Sequence, residues 1–151
     1  MNIKNKIPRN DDGQAHGLCE LYFSDGKLEY KCNYDNGQAH GLCEVYFSTG
    51  QLHYKGHFVN GEKHGVWELY YSSGKLDSKG SYINSKKDGY WEDYYTNGQL
   101  DSKGNYVNGE LHGDWEVYYE NGGVLYKCYY DMNKKVDYEV LIVSPEMFPI
   151  Y

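Results

Sequence analysis

The side chains able to do chemistry in this 151-residue chain fall into series with a common step. Candidates for disulfide or metal chemistry are Cys19, Cys32, Cys43 and Cys128, with the histidines His16, His40, His64 and His112. Candidates for acid–base work are Glu20, Glu44, Glu68, Glu92 and Glu116, and for binding the aromatic rows Tyr22, Tyr46, Tyr70, Tyr94, Tyr118 and Trp67, Trp91, Trp115. Members of each histidine, glutamate, tyrosine and tryptophan row lie 24 residues apart or a multiple of it, as do Cys19 with Cys43 and Cys32 with Cys128. What such residues can do is set by the elements that carry them.

The 24-residue step belongs to the whole chain. From Asp12 through Asn36, Asn60, Asn84 and Asn108 the sequence superimposes on itself without an insertion, the signature of a repeat architecture. The units are 12–35, 36–59, 60–83, 84–107 and 108–131, with 132–151 remaining. In the third unit Val66–Tyr71 and Leu76–Tyr82 are strand-length runs separated by a turn whose centre is Ser73-Gly74, matched by Asp25-Gly26, Asn97-Gly98 and Asn121-Gly122 elsewhere. An X-Gly pair of this kind predicts a hairpin closed by a two-residue type I′ turn. Glu68 then faces Lys79, Trp67 faces Gly80, Leu69 faces Ser78 and Tyr71 faces Leu76. One face carries Trp67, Leu69, Tyr71, Leu76 and Tyr82; the other carries Glu68, Tyr70, Asp77 and Lys79.

The expected fold is all-β: an elongated single-layer antiparallel meander of about five tandem 24-residue β-hairpin repeats plus a C-terminal capping strand. Residues Val136–Val143 fall where a sixth unit would place its first strand. The tail beyond, with Pro145 and Pro149, cannot continue a central strand. At the other end Pro8 and its charged neighbours discourage edge-to-edge pairing, leaving a monomer or a weak end-to-end dimer.

Spacing then disposes of most of the chemistry. Equivalent residues in successive hairpins lie two strands, roughly 9.5 Å, apart. That exceeds the ~7 Å Cα limit for a Cys19–Cys43 bridge. Only Cys19 and Cys32, opposed within one hairpin, are expected to be able to bridge, and the favoured state is a reduced pair filling the slot that Trp and Gly fill elsewhere. The same spacing keeps the histidines from sharing a metal ion; they are expected to bond loop backbone, while His53 and His57 sit at the surface. Each glutamate faces a lysine, which makes a structural ladder rather than a catalytic constellation. No metal, no cofactor and no catalytic residue is expected, and the chain reads as a non-enzyme.

Composition narrows the partners. Leu, Ile, Val and Phe make up about 19% of the chain and the net charge is −7, values that suggest disorder unless the 19 tyrosines supply the core. A pI near 5.3 argues against nucleic acid, which needs a basic face. The longest aliphatic run, Val140–Val143, is far too short to span a bilayer. Met1–Lys6 has charge with no apolar stretch behind it, so the expected location is cytoplasmic. Because the Glu and Lys ladders cancel, the excess acidity is assigned to turns, including Asp11, Asp12, Asp88 and Glu110, where a basic partner would approach.

The segment from Asn60 to Leu76, repeated from Asn108 to Gly122, resembles the MORN-repeat family in its short bacterial variant. The likeness covers residues 12 to about 131. The fourth unit departs from it, with Ser85 for the first glycine and Asp88 for the histidine. The resemblance implies a single-layer sheet used as a scaffold or partner-binding surface, with membrane association in some members. The short variant resembles YwqK-type antitoxin proteins, which implies neutralisation of a cognate, basic toxin by direct binding. The alternatives are a scaffold for membrane- or cytoskeleton-associated assemblies and a small-ligand binder using the aromatic face. Net negative charge weighs against an anionic membrane.

Overall fold

The computed structural model describes residues 5–139. Eleven strands run in chain order in one open antiparallel sheet: β1 (Gly17–Tyr22), β2 (Leu28–Asp35), β3 (Gln38–Tyr46), β4 (Leu52–Val59), β5 (Glu62–Tyr70), β6 (Leu76–Ile83), β7 (Lys86–Tyr94), β8 (Leu100–Val107), β9 (Glu110–Tyr118), β10 (Val124–Asp131) and β11 (Lys134–Glu139). Each strand pairs with its sequence neighbours, and there is no helix among the described residues. The expected single-layer meander is what forms.

Two kinds of turn alternate, and the type I′ turn expected within each hairpin is not found there. At Ser72-Ser73-Gly74 the Gly74 amide donates to the Tyr71 carbonyl at 2.8 Å and the Tyr71 amide to Lys75 at 2.9 Å, with only Gly74 at positive φ, 84°. This is a three-residue loop ending in a left-handed glycine, not a type I′ turn. The type I′ turn is the link between hairpins, where Asn60 and Gly61 take φ of 51° and 79°. The longer loop forces a bulge: Leu69 pairs with Ser78 but Tyr70, not Tyr71, pairs with Leu76. Asp77 is the extra residue. From Trp67–Gly80 to Leu69–Ser78 the predicted register holds.

With no second layer, the core must form within the sheet itself. Trp67 lies between Gly56 of β4 and Gly80 of β6, and its ring covers Gly56 rather than the expected Gly80: a Cβ at residue 56 would meet Trp67 Cδ2 at 2.2 Å. Gly80 is covered in turn by Trp91, and Gly104 by Trp115. Each indole thus reaches back to the preceding hairpin. Phe58, Trp67, Tyr82, Trp91, Tyr106 and Trp115 then follow one another edge to face, with centroids 5.1–6.3 Å apart. Such contacts contribute beyond area burial, roughly 0.5–1.5 kcal/mol each.

In the first hairpins cysteines occupy the slot. Cys32 faces Cys19 on one side and Cys43 on the other. The disulfide joins Cys32 to Cys43, whose Cα atoms are 4.2 Å apart, so the expectation that Cys19–Cys32 alone could bridge, and that the thiols stay reduced, is corrected. The slot works backwards across the inter-hairpin link, as Trp67 over Gly56 does. Cys19 and Cys128 are free and buried.

Both ends differ from the sequence reading. The first edge is not merely discouraged from pairing. The chain before it lies along β1, with Lys6 and Glu20 exchanging two backbone hydrogen bonds of 2.8 Å and His16 donating to the Pro8 carbonyl. At the other end β11 begins at Lys134, and Cys128 pairs with Tyr138, where exact repetition would place Glu139. The closing half-repeat is therefore offset by one residue. Residues 140–143 and the proline-containing tail lie outside the described residues.

Gly80→Ala should therefore cost about 3 kcal/mol, at the upper end for overpacking, because its Cβ would lie 2.1 Å from Trp91 Cδ2. In urea denaturation the double variant with Trp91→Cys should lose less than the sum of the single losses by more than 1 kcal/mol, roughly the coupling found for residues in contact.

Candidate functional site

A repeat that alternates side chains on a single sheet creates two broad faces, and the candidate residues divide between them. The tryptophan face is mostly self-satisfied. Trp67 and Trp91 are 1% exposed and Trp115 8%. The Trp67 and Trp91 Nε1–H groups donate to the His57 and Ser81 carbonyls at 3.2 and 3.0 Å, and Lys63 and Lys87 lie over the rings at 4.4 and 4.0 Å. Expected as binding residues, the three indoles have almost no surface left to offer. The physical reason is the glycine slot, which lets each ring lie down on the sheet.

The other face is built from Glu, Lys and Tyr. Each of Glu20, Glu44, Glu68, Glu92 and Glu116 faces lysines on both sides, so the ladder runs without a break from Lys6 at Glu20 to Lys127 at Glu116. Glu68 meets Lys55 Nζ at 2.8 Å and Lys79 Nζ at 3.5 Å, and Glu116 meets Lys103 at 3.1 Å and Lys127 at 2.6 Å. The lysine hydrogen bond and the Tyr70 hydroxyl hold the Glu68 carboxyl down at about 2; Lys127 and Tyr118 do the same for Glu116. The sequence paired each glutamate with one lysine. The antiparallel stack supplies the second.

The tyrosine row completes this face. Tyr22, Tyr70 and Tyr94 donate to Glu20, Glu68 and Glu92 at 3.0, 2.7 and 2.8 Å, and Tyr118 donates to Glu116. Tyr46 repeats the arrangement beside Glu44, and all five rings are half-buried. Each ring is pinned at its tip and leaves its flank to solvent. Sequence reasoning missed the row next to it: Leu18, Leu42, Val66, Tyr90 and Tyr129 are 39–53% exposed on the same face. Their alternation with Glu20, Glu44, Glu68 and Glu92 was the available signal. The result is a rigid surface of aromatic and aliphatic patches repeating every two strands, roughly 9.5 Å.

The remaining candidates are structural. Asp88, in the histidine position, accepts from the Asn108 amide at 3.1 Å, and His16 Nδ1 lies 3.5 Å from the Asn36 amide. Asp88 is thus committed to a turn rather than free for a partner. His16 Nδ1 and His112 Nδ1 also lie 3.3 and 3.5 Å from carboxylate oxygens of Asp35 and Asp131. No group of acids, histidines or cysteines among the described residues could hold a metal ion. No helix among them is long and apolar enough to cross a membrane.

Comparison with known proteins agrees with this repeat. The family described as MORN repeat variant matches residues 15–36, 39–60, 63–84, 87–108 and 111–132. No curated protein matches. Among solved structures the chain is similar to part of S. aureus TarM, with 9% identity, a TM-score of 0.40, and coverage of 72% of this chain and 21% of that one. It is also similar to part of a structure of accessory secretory protein 1, 2 and 3 from Streptococcus pneumoniae, with 15% identity, a TM-score of 0.37, and coverage of 78% and 22%. The GtfA/B complex bound to UDP and GlcNAc gives 14% identity, a TM-score of 0.31, and coverage of 82% and 24%. The chain spans less than a quarter of the length of each.

The depressed glutamates set a pH dependence. A carboxyl whose folded pKa is about 2 against an ordinary 4.5 contributes stability that is fully present above pH 4.5 and lost as pH falls towards 2. Thermal melts should show the midpoint dropping across that window. In the double variant Glu68→Gln, Glu116→Gln the drop should be shallower, with a lower midpoint at pH 7.

Proposed function

The chain belongs to the MORN repeat variant family, whose repeats mark a module that binds other molecules, and on that premise we propose a non-catalytic module that docks a protein partner. The partner bound in this way is a toxin, which the docked sheet neutralises. The observation that carries this reading is the pinned tyrosine row with its exposed apolar neighbours. A protein interface needs aromatic anchors that lose little entropy on binding, and a tyrosine already held by Glu at its hydroxyl has little to lose. The Glu–Lys ladder contributes charges of both signs in fixed positions, which suits recognition of a specific partner more than attraction to any basic surface.

Regular repetition argues against catalysis on this face. A catalytic site needs one constellation unlike its surroundings, and here every hairpin presents the same Glu, Lys and Tyr. Repetition does suit a partner that lies across several hairpins at once. An interface of standard size, about 800 Å² per partner, would cover three or four of them.

The test is to co-express the chain with the product of the neighbouring gene and to measure growth and complex formation. The expected outcome is a one-to-one complex that survives gel filtration and restores growth. Tyr70→Ala and Tyr94→Ala should each weaken binding by about 2 kcal/mol, roughly 30-fold, as hot-spot truncations do. A neighbour that is not toxic and does not bind would overturn the reading.

A further inference from the structure

The cysteine row carries reactive side chains that the tyrosine face does not use. Cys19, Cys32 and Cys43 occupy directly opposed positions on β1, β2 and β3, so their side chains share one face in a line across the strands. All three are buried, and the bond between the second and third is closed. Cys19 is left as a free thiol on the strand facing Cys32. Cys128 is a different case, because its cross-strand partners are Trp115 and Tyr138 rather than another cysteine.

Position decides what the free thiol can reach. Opposed residues of an antiparallel pair have Cα atoms roughly 4.5–5.5 Å apart, inside the range of about 4.4–6.8 Å that a disulfide spans. Cys32 therefore has a cysteine at bonding distance on each side and can bond one of them at a time. Cys19 and Cys43 lie two strands, roughly 9.5 Å, apart, so neither can bond the other. A thiolate displaces a disulfide sulfur by entering opposite the group that leaves. The row has that order: Cys19 to enter, Cys32 at the centre, Cys43 to leave. Burial pushes the Cys19 thiol above its ordinary pKa, and Arg9 draws it back towards the thiolate that attacks.

We propose that this row is a thiol–disulfide exchange site in which Cys19 attacks Cys32 and releases Cys43. The Cys19 Sγ–Cys32 Sγ bond forms as the Cys32 Sγ–Cys43 Sγ bond breaks. The electron pair of the broken bond leaves on Cys43 Sγ, which takes up a proton in place of the one Cys19 gives up. One disulfide is consumed and one is formed, so the step needs no oxidant or reductant. Its effect is to move the crosslink. Cys32–Cys43 ties the first repeat to the second, whereas Cys19–Cys32 lies within the first hairpin. That joint lacks two contacts that join later repeats, an indole over a glycine and a tyrosine hydroxyl on the next carbonyl, because Cys43 stands for Trp and Phe23 for Tyr. The disulfide substitutes for them, and exchange loosens the first hairpin from the rest. The proposal stands independently of the toxin reading, because it is tested on the isolated protein.

The full chain, oxidised with glutathione disulfide and then freed of it, is held natively with dilute N-ethylmaleimide. Samples are quenched in acidic urea at successive times and mapped by mass spectrometry after chymotryptic cleavage. The expected product carries the label on Cys43 together with a Cys19–Cys32 bond. In Cys19→Ser no label should reach Cys43, and Cys128→Ala should behave as the wild type does. Amide hydrogen exchange reads the consequence. Oxidation should slow the amides paired between β2 and β3 about tenfold in Cys19→Ser, where Cys32–Cys43 can close, and leave them unchanged in Cys43→Ser, where only Cys19–Cys32 can. Label confined to Cys19 and Cys128 with Cys32–Cys43 intact, label on Cys43 at the same rate in Cys19→Ser, or no disulfide in the oxidised chain overturns the proposal, as does equal slowing in the two variants.

Discussion

A tryptophan lying over a glycine of the preceding strand is the contact on which this protein depends. A single sheet has no second layer to bury its large side chains, so each indole must find cover among its own neighbours. A glycine opposite it removes the Cβ that would otherwise stand 2.1–2.3 Å from the ring. The indole lies flat, its N–H reaches a carbonyl of the strand it covers, and the flanking Phe or Tyr rings close over its edges. Because the ring reaches back across the inter-hairpin link, the contact that forms the core is also the contact that joins one repeat to the next.

Other bonds tie each repeat to its neighbours in both directions. The second residue of every tight turn donates its amide to a carbonyl 22 residues earlier, as Gly61 does to Ala39 and Gly109 to Lys87. Tyr71 and Tyr95 donate their hydroxyls to the Tyr94 and Tyr118 carbonyls of the following repeat. Phe23 and Phe47 hold that position in the first two units and lack the hydroxyl. The first two hairpins thus differ from the next three in two ways, cysteine for tryptophan and phenylalanine for tyrosine. Stability in such an array is a sum over neighbours, so these differences bear on how it distributes along the sheet. Satisfying the aromatic core internally on one face frees the other to be rigid and exposed.

Much of this was legible in the sequence because period and pairing are written in residue types. The step of 24, the Glu–Lys opposition and the Trp–Gly opposition specify strands, register and faces together, and pairs such as Glu68–Lys79 hold in the structure. What was misread is local. Ser73-Gly74 and Asn60-Gly61 both look like hairpin turns, but only the second puts both residues at positive φ. That difference inserts the bulge that moves Asp77 across the sheet, a shift that no pattern of alternation could reveal. The direction in which a tryptophan lies over its two flanking glycines is likewise not a property of register; it is decided by rotamer and by neighbouring rings. The tyrosine row was found because it repeats, and the exposed row beside it was overlooked because its types vary from Leu to Val to Tyr.

The core is closed within one layer, and indole accessibility measures that directly. Acrylamide quenching of tryptophan fluorescence in the native protein should be several-fold weaker than in the urea-unfolded chain, since Trp67, Trp91 and Trp115 are almost wholly covered. Quenching as efficient in the native protein as in the unfolded chain would contradict it.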